Sequence, residues 1–459
     1  MQATRLLWLA LLLPGCPDRT ISAVVPEQGS VEVKDIPAVP RRKIDILFQI
    51  DSSASMEEEQ ASLRANFPRF IEVLETIQGG LPDVHIGVIT PDMGASALDG
   101  SLASGIAGCT GRGKNGALRQ LPNTTIRYLA DEIDGAGNRV RNYPGTLAEA
   151  FSSLADVGFD GCGVEQHLEA TRAALDNHPD NGGFLRDDAY LAVIIIADED
   201  DCSLAKSTLF SGIPQDSAYG DRVNFRCTTE GVECDTPAIP FEDAPGERRD
   251  CHPKFDSQMI ASVDRYVDFF KSRKRDPRDV FVAGIVGPQD PFRITSKPNG
   301  ATVLASSCPQ DNQLALPAVR MGYFFDQFEQ RNTRATICDA DLSGALTDIA
   351  AAIKVIPGER CFRNDLADID PETDGPQYEC SITEYLRNPG GTDEELAIIP
   401  RCGSGSLPCW RIEDDATECF YTEADPHLKL VIDRSGPAPG NDVFIKANCV
   451  TADSSGPAL

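Results

Sequence analysis

Short apolar runs alternate with amphipathic stretches along the chain up to residue 357. Four of these runs have the length and composition of buried strands: Ile44–Ile50, Val84–Thr90, Tyr190–Ala197 and Val280–Val286. After the first run, apolar residues recur at steps of three and four from Leu63 to Ile77, which indicates a helix with one buried face. Buried strands that alternate with such helices predict a sheet covered on both sides. The predicted fold class of residues 41–357 is therefore α/β, a doubly wound, mostly parallel sheet with helices on both faces.

The pattern changes after residue 357, where only short alternating runs remain among many Pro, Gly and Asp residues. Six cysteines lie in this part of the chain: Cys361, Cys380, Cys402, Cys409, Cys419 and Cys449. Because small exported modules with thin cores depend on disulfides, residues 358–459 are predicted to be a Cys-rich β module. Two insertions, at 91–157 and 202–255, interrupt the α/β pattern. Both leave from the carboxyl ends of strands, so they are expected to frame that edge of the sheet.

The amino terminus has the features of an export signal. A basic start precedes the apolar run Leu6–Leu13, which is too short to cross a membrane. The tetrapeptide LPGC, which ends at Cys16, resembles the bacterial lipobox. This resemblance implies that residues 1–16 form a lipoprotein signal and that Cys16 carries the lipid, while cleavage after Ala23 is the alternative. Residues 17–40 are polar and contain three prolines, so they are predicted to be a tether.

Composition restricts the partners and the redox environment. Among 459 residues, 71 are acidic and 42 are basic, giving a formal net charge of −29. This charge argues against nucleic-acid binding, which requires clustered Lys and Arg, and it favours cations. Fifteen cysteines less Cys16 leave fourteen, an even number that predicts disulfide pairing in an exported chain. Position along the chain suggests three pairs: Cys109–Cys162, Cys227–Cys234 and Cys308–Cys338.

Oxygen donors follow two of the predicted strands. Asp51, Ser53 and Ser55 form a D-x-S-x-S sequence directly after the first strand, and Asp198 ends the run Tyr190–Ala197. In a doubly wound sheet the carboxyl ends of neighbouring strands meet at one edge, where ligands collect. Carboxylate and hydroxyl oxygens suit a small hard cation. The sequence therefore predicts a divalent cation at this edge, with Mg²⁺ favoured and Mn²⁺ or Ca²⁺ as alternatives.

The segment DILFQIDSSASM, with the helix that follows it, resembles the opening of a von Willebrand factor type A domain. The resemblance spans roughly residues 41–357. In that family the D-x-S-x-S loop belongs to a metal-ion-dependent adhesion site, which implies metal contacts, direct or through water, for Asp51, Ser53, Ser55 and Asp198. The family usually adds a Thr from the loop before the middle helix. Here that loop, residues 158–163, contains no hydroxyl, and Asp160 offers a carboxylate instead.

These expectations describe a bacterial envelope protein that binds without catalysing a reaction. A lipid anchor would be its only membrane contact, with the outer membrane favoured, and the protein would face the periplasm or the cell surface. Since both Ser ligands are neutral, the ion would remain able to accept a carboxylate from a protein ligand. One alternative is a structural envelope protein with a lapsed metal site. Another is a metal-dependent hydrolase, for which the sequence indicates no general base.

Overall fold

The structure is a computed structural model that describes residues 30–452 with gaps. The gaps lie at 40–41, 78–79, 107, 211–219, 239–240, 242–244, 297–301, 310–313, 330, 356–359, 389–391, 404, 417–418, 420–424, 437–438 and 441. The predicted signal peptide and Cys16 lie outside the described residues.

Strands and helices alternate through most of the described chain. The strands are β1 (Val31–Pro37), β2 (Lys43–Ile50), β3 (Asp83–Ile89), β4 (Tyr128–Ile133), β5 (Arg139–Arg141), β6 (Tyr190–Ala197), β7 (Val232–Thr236), β8 (Gly246–Pro253), β9 (Val280–Val286), β10 (Phe292–Ser296), β11 (Thr302–Leu304), β12 (Asn332–Thr336), β13 (Cys380–Arg387), β14 (Asp393–Ile398), β15 (Cys409–Asp414), β16 (Leu428–Asp433) and β17 (Val443–Val450). The helices are α1 (Glu57–Glu75), α2 (Leu147–Ala155), α3 (His167–Leu175), α4 (Gly220–Gly231), α5 (Asp264–Lys271), α6 (Val319–Asp326) and α7 (Ser343–Val355).

A seven-stranded sheet lies at the centre, in the order β12-β9-β6-β2-β3-β4-β5. The first five strands in this order are parallel to one another, whereas β4 and β5 are antiparallel. Side chains alternate along β2, so Phe48 packs on one side with α1, α2 and α7, and Leu47 packs on the other with α3, α5 and α6. This packing on both sides holds the ends of β2 and β6 in fixed positions.

The predicted fold class is wrong for the chain as a whole. Strand residues make up 32% of the structure and helix residues 23%. Three of the four sheets in the described residues are antiparallel, in the orders β1-β17-β13-β14, β11-β10-β8-β7 and β15-β16. The difference arises because short, polar segments of alternating character pair as hairpins. The long apolar runs, on which the predicted fold class was based, carry no information about such segments. The protein is mostly β and is not a doubly wound α/β protein with a small appendage.

Part of the predicted tether is a strand. Val31–Pro37 forms β1, which pairs antiparallel with β17 along its whole length. Ile36 lies in the core of this C-terminal sheet, beside Trp410 and Ile445. Asp35 accepts a hydrogen bond from the Arg387 side chain at 2.5 Å. The segment contains few apolar residues, so its partner strand, far along the chain, determines its structure.

Seven disulfides join the cysteines of the described residues. They are Cys109–Cys162, Cys202–Cys227, Cys234–Cys251, Cys308–Cys338, Cys361–Cys419, Cys380–Cys449 and Cys402–Cys409. The expected pair Cys227–Cys234 is wrong, because β7 and β8 pair in a register that places Cys234 opposite Cys251. The pairing of adjacent strands, and not closeness in the sequence, therefore determines the disulfide partner of Cys234.

Candidate functional site

The loop after β2 brings one carboxylate and two hydroxyls together. The backbone N–H of Asp51 donates to the carbonyl of Ile196 at 3.0 Å, which holds this residue beside the end of β6. The buried Asp51 carboxylate accepts, through Oδ1, a hydrogen bond from the N–H of Ser53 at 2.8 Å. The hydroxyl oxygens of Ser53 and Ser55 lie 2.9 Å apart. An aspartate that hydrogen-bonds the backbone two residues later fixes such a turn.

Asp198 follows β6 and is buried beside this loop, with 4% of its surface exposed. Burial raises the pKa of Asp198 well above its ordinary value, and the charge of Asp51 acts in the same direction. A hydrogen bond from Ser55 partly opposes both effects. Asp51, Ser55 and Asp198 are thus neighbours, although 147 positions separate the two aspartates in the sequence.

A third carboxylate, which the sequence analysis missed, belongs to Glu165, just before α3. Its side chain is buried, and its backbone forms an isolated bridge with Asp92, three residues after the end of β3. Burial, the charge of Asp51 and the charge of Glu199 raise the pKa of Glu165 well above its ordinary value. The residue lies two positions beyond residues 158–163, the loop in which the family resemblance implies a Thr.

Close packing of the preceding loop helps to position Glu165. The N–H of Gly161 donates to the carbonyl of Ser52 at 3.1 Å. A Cβ atom at Gly161 would lie 2.3 Å from the Ser52 hydroxyl oxygen and 2.9 Å from its carbonyl oxygen. Since the second of these atoms belongs to the backbone, only glycine allows the loop to approach the Asp51 turn this closely.

His167, the first residue of α3, is fully buried beside the same carboxylates. Its Nδ1 lies 3.1 Å from Oε1 of Gln49, and its Nε2 lies 3.7 Å from Oε2 of Glu165. Burial lowers the pKa of His167, so the ring is favoured in its neutral form. One ligand atom each from Asp51, Glu165 and His167 all lie within 4.8 Å of one another.

Several buried polar atoms around this point have no hydrogen-bond partner. They are Oδ2 of Asp51, Oδ1 of Asp198, Oε2 of Glu165 and Nε2 of His167. Buried polar groups are nearly always paired, and buried carboxylates close together repel each other unless a proton or a cation lies among them. These residues fit a divalent cation in donor type and in arrangement. We call Asp51, Ser53, Ser55, Glu165, His167 and Asp198 the edge cluster.

Asp160, expected to replace the family's Thr, lies elsewhere. It is exposed and lines a cleft of about 520 Å³ that also reaches Ser52 and Asp92. The carboxylate beside Asp51 belongs to Glu165 instead. Residue type alone favoured Asp160, because nothing in the sequence shows which acid of the segment turns inward.

Basic side chains lie along the same cleft. Lys114, Arg119 and Arg127 line it, together with Phe159. Arg119 donates to the backbone carbonyl of Leu154 at 2.9 Å, which fixes the guanidinium in position. The Cys109–Cys162 disulfide joins the two segments that form the cleft walls. The cleft therefore combines three basic side chains with the acids Asp92 and Asp160, and it reaches Ser52, the neighbour of Asp51 in the sequence.

The acids that follow Asp198 include two with structural partners. The Asp200 carboxylate accepts hydrogen bonds from the N–H groups of Arg320 and Met321 at 2.9 and 3.0 Å, at the start of α6. Burial raises its pKa to about 6. Asp201 pairs with the Arg320 guanidinium at 2.9 Å. These two side chains stabilise the loop after β6.

No protein-family model and no curated protein match this chain. Similar solved structures include the pilus adhesin RrgA of Streptococcus pneumoniae, with a TM-score of 0.34, 11% identity, and coverage of 92% of this chain and 58% of that chain. The PilB minor pilin of Streptococcus sanguinis has a TM-score of 0.29 and 8% identity, and the match covers 68% of this chain and 62% of that chain. The Mfa5 pilus tip protein of Porphyromonas gingivalis has a TM-score of 0.27 and 10% identity, and the match covers 93% of this chain and 68% of that chain. At these scores the likeness carries no argument about fold or activity, and this chain spans about three fifths of the first two structures.

The resemblance to the von Willebrand factor type A family is corrected by these findings. No model of any family, the von Willebrand factor type A family included, matches the chain. A D-x-S-x-S loop between a strand and a helix is a short pattern, and it did not suffice to identify the family. Among the described residues, no helix has the length and apolar character needed to cross a bilayer.

Proposed function

We propose that this protein is a cell-surface adhesion protein that binds a protein ligand, with the help of a divalent cation, at the edge cluster. The observation that carries the proposal is the group of buried, unpaired polar atoms on Asp51, Glu165, His167 and Asp198. A cation among these atoms would remove the repulsion between the carboxylates and satisfy the unpaired oxygens. It would also join the loops after β2 and β6 to the start of α3.

The proposed ligand is a protein segment that offers a carboxylate. Lys114, Arg119 and Arg127 line the cleft that reaches Ser52, and the exposed Lys114 can pair with an acidic side chain of the ligand. These basic side chains are needed for binding an acidic ligand, because Glu165 adds a negative charge to the cation site that a neutral Ser or Thr ligand would not add. One divalent ion and the three carboxylates of the edge cluster carry a net charge of 2 − 3 = −1, so the basic side chains of the cleft would have to supply the attraction for an acidic ligand.

The proposal includes export and a lipid anchor at Cys16. Seven disulfides support an oxidising compartment, where such bonds form and persist. The LPGC sequence supports attachment to the envelope, with the outer membrane favoured. Fractionation of cells that express Cys16→Ser tests the anchor, since retention of this variant in the membrane would contradict it.

Catalysis is not part of the proposal. A metal-dependent hydrolase needs a general base that reaches its substrate, and the nearest histidine, His167, has none of its surface exposed. A structural protein with a lapsed site would leave the unpaired carboxylates of the edge cluster without a role. We therefore favour binding.

A peptide-binding experiment tests the proposed function. The full mature protein is passed over immobilised acidic peptides and over peptides of the same sequence with Asn and Gln in place of Asp and Glu. We expect retention on the acidic peptides with a divalent cation, and loss of retention with EDTA or with Asp51→Ala. Lys114→Ala weakens retention by about two- to fivefold, as expected for an exposed charge pair.

Lys446→Ala is the matched control, because it removes an exposed positive charge from β17, outside the cleft. Retention of this variant should equal that of the unmodified protein. Equal binding to the acidic and amide peptides, or binding that EDTA leaves unchanged, would contradict the proposal.

A further inference from the structure

We infer that the imidazole of His167 is itself a metal ligand, together with Glu165 and Asp51, and that the site therefore selects a first-row transition ion over Mg²⁺. This inference rests on the proposed function and specifies the cation that its site would take.

The hydrogen bond of His167 to Gln49 determines which ring nitrogen is available. Nδ1 of His167 lies 3.1 Å from the side-chain oxygen of Gln49. With this orientation of the Gln49 amide, whose oxygen can only accept a hydrogen bond, the neutral ring carries its hydrogen on Nδ1. Nε2 then keeps its lone pair and points at the carboxylates. A hydrogen bond on the opposite nitrogen is the usual way in which proteins orient a metal-binding histidine.

His167 and Glu165 face each other through two unpaired buried atoms. Nε2 of His167 lies 3.7 Å from Oε2 of Glu165, and neither atom has a hydrogen-bond partner. A lone pair directed at a carboxylate oxygen in a buried site is unfavourable unless a proton or a cation lies between the two, and a cation would also satisfy the unpaired oxygens of Asp51 and Asp198. An ion about 2.0–2.2 Å from each ligand atom would hold the two atoms roughly 3.0–3.7 Å apart. The observed separation agrees with two ligands of one ion.

Because His167 is buried, it is not a solvated surface histidine. His167 has no exposed surface, and its ring lies close to the buried carboxylates of Asp51 and Glu165. A buried Nε2 without a partner costs free energy, and packing alone would be served equally well by an apolar residue. Coordination gives this nitrogen a partner.

The combination of nitrogen and oxygen ligands determines which metal ion the site prefers. Mg²⁺ prefers oxygen ligands in an octahedral arrangement and retains several of its water molecules. Imidazole suits the later first-row ions, among them Zn²⁺, and affinity for a site with nitrogen ligands rises along that row. The predicted preference for Mg²⁺ was based on the oxygen donors of Asp51, Ser53 and Ser55 alone. A nitrogen ligand from His167 changes the expected order of affinities, so that Zn²⁺ binds more tightly than Mg²⁺.

Calorimetric titration of the full mature protein tests the selectivity after removal of bound metal with a chelator. We expect Zn²⁺ to bind at least about tenfold more tightly than Mg²⁺, and His167→Gln to lose at least about tenfold in Zn²⁺ affinity. The glutamine keeps a polar side chain at the position but removes the nitrogen ligand, so Mg²⁺ affinity should change little. His178→Gln, which removes a histidine outside the edge cluster, should bind both ions as the unmodified protein does.

Pulsed electron paramagnetic resonance with Mn²⁺ reads nitrogen coordination of the bound ion directly. A ¹⁴N coupling to the bound ion is expected in the unmodified protein, and its absence is expected in His167→Gln. Mn²⁺ bound without ¹⁴N coupling, or equal affinities for Zn²⁺ and Mg²⁺, would overturn this inference and leave the cation-dependent adhesion proposal standing. Failure of every divalent ion to bind would overturn both.

Discussion

A divalent cation at about a hundred times its dissociation constant is expected to raise the free energy of unfolding by about 2.7 kcal/mol. The rise follows because only the folded chain brings Asp51, Glu165 and Asp198 together. Asp51→Ala and Asp198→Ala are each expected to abolish the rise, and Ser53→Ala to reduce it. Urea denaturation with and without EDTA measures these differences.

Asp268→Ala is the control for the loss of one negative charge. Asp268 is an exposed acid on α5 and lies outside the edge cluster. Its variant should keep the full stabilisation by the cation. An equal rise in Asp51→Ala and in the unmodified protein would show that the ion acts through the general acidity of the surface.

Asp45→Ala is expected to cost about 3–5 kcal/mol of stability, the cost of breaking a buried ion pair. The Asp45 carboxylate accepts hydrogen bonds from the backbone N–H and the Nε of Arg186 at 2.7 and 2.8 Å, and it lies 3.5 Å from Nζ of Lys274. Lys274 is almost completely buried, so its charge would lose its partner without gaining water. Urea denaturation of the variant measures the loss.

The pair gives little net stabilisation even though breaking it is costly. Burial raises the pKa of Asp45 and lowers the pKa of Lys274, so burial disfavours the charged form of both groups. Asp188→Ala is the matched control, because Asp188 pairs with Lys43 at 2.6 Å on the exposed surface. Loss of that pair should cost less than about 1 kcal/mol. A similar cost for the two variants would contradict the importance assigned to Asp45.

Continuous apolar runs were sufficient to locate the strands of the central sheet. The runs at Tyr190–Ala197 and Val280–Val286 coincide with β6 and β9, because eight or seven consecutive apolar or small residues can be buried only inside a covered sheet. The antiparallel sheets could not be located in this way. Val31–Pro37 contains three charged residues among its seven, and its pairing with β17 depends on residues more than 400 positions away.

The edge cluster was only partly visible in the sequence. Asp51 and Asp198 could be placed together because each directly follows an apolar run. Glu165 and His167 have no such signal, since they follow a glycine-rich loop whose path depends on the close contact between Gly161 and Ser52. The sequence GVEQH places two ligand types just before and at the start of a helix, and this spacing is the only local sign of their role.

The central claim is that the buried carboxylates of the edge cluster hold one cation. Native mass spectrometry of the protein, after loading with a divalent ion and desalting, counts the ions retained by each chain. We predict a single retained ion in the unmodified protein and in Asp160→Asn, and none in Glu165→Gln, because Glu165 is buried beside Asp51 whereas Asp160 is exposed in the cleft. Retention of the ion by Glu165→Gln, or its loss from Asp160→Asn, would contradict the account.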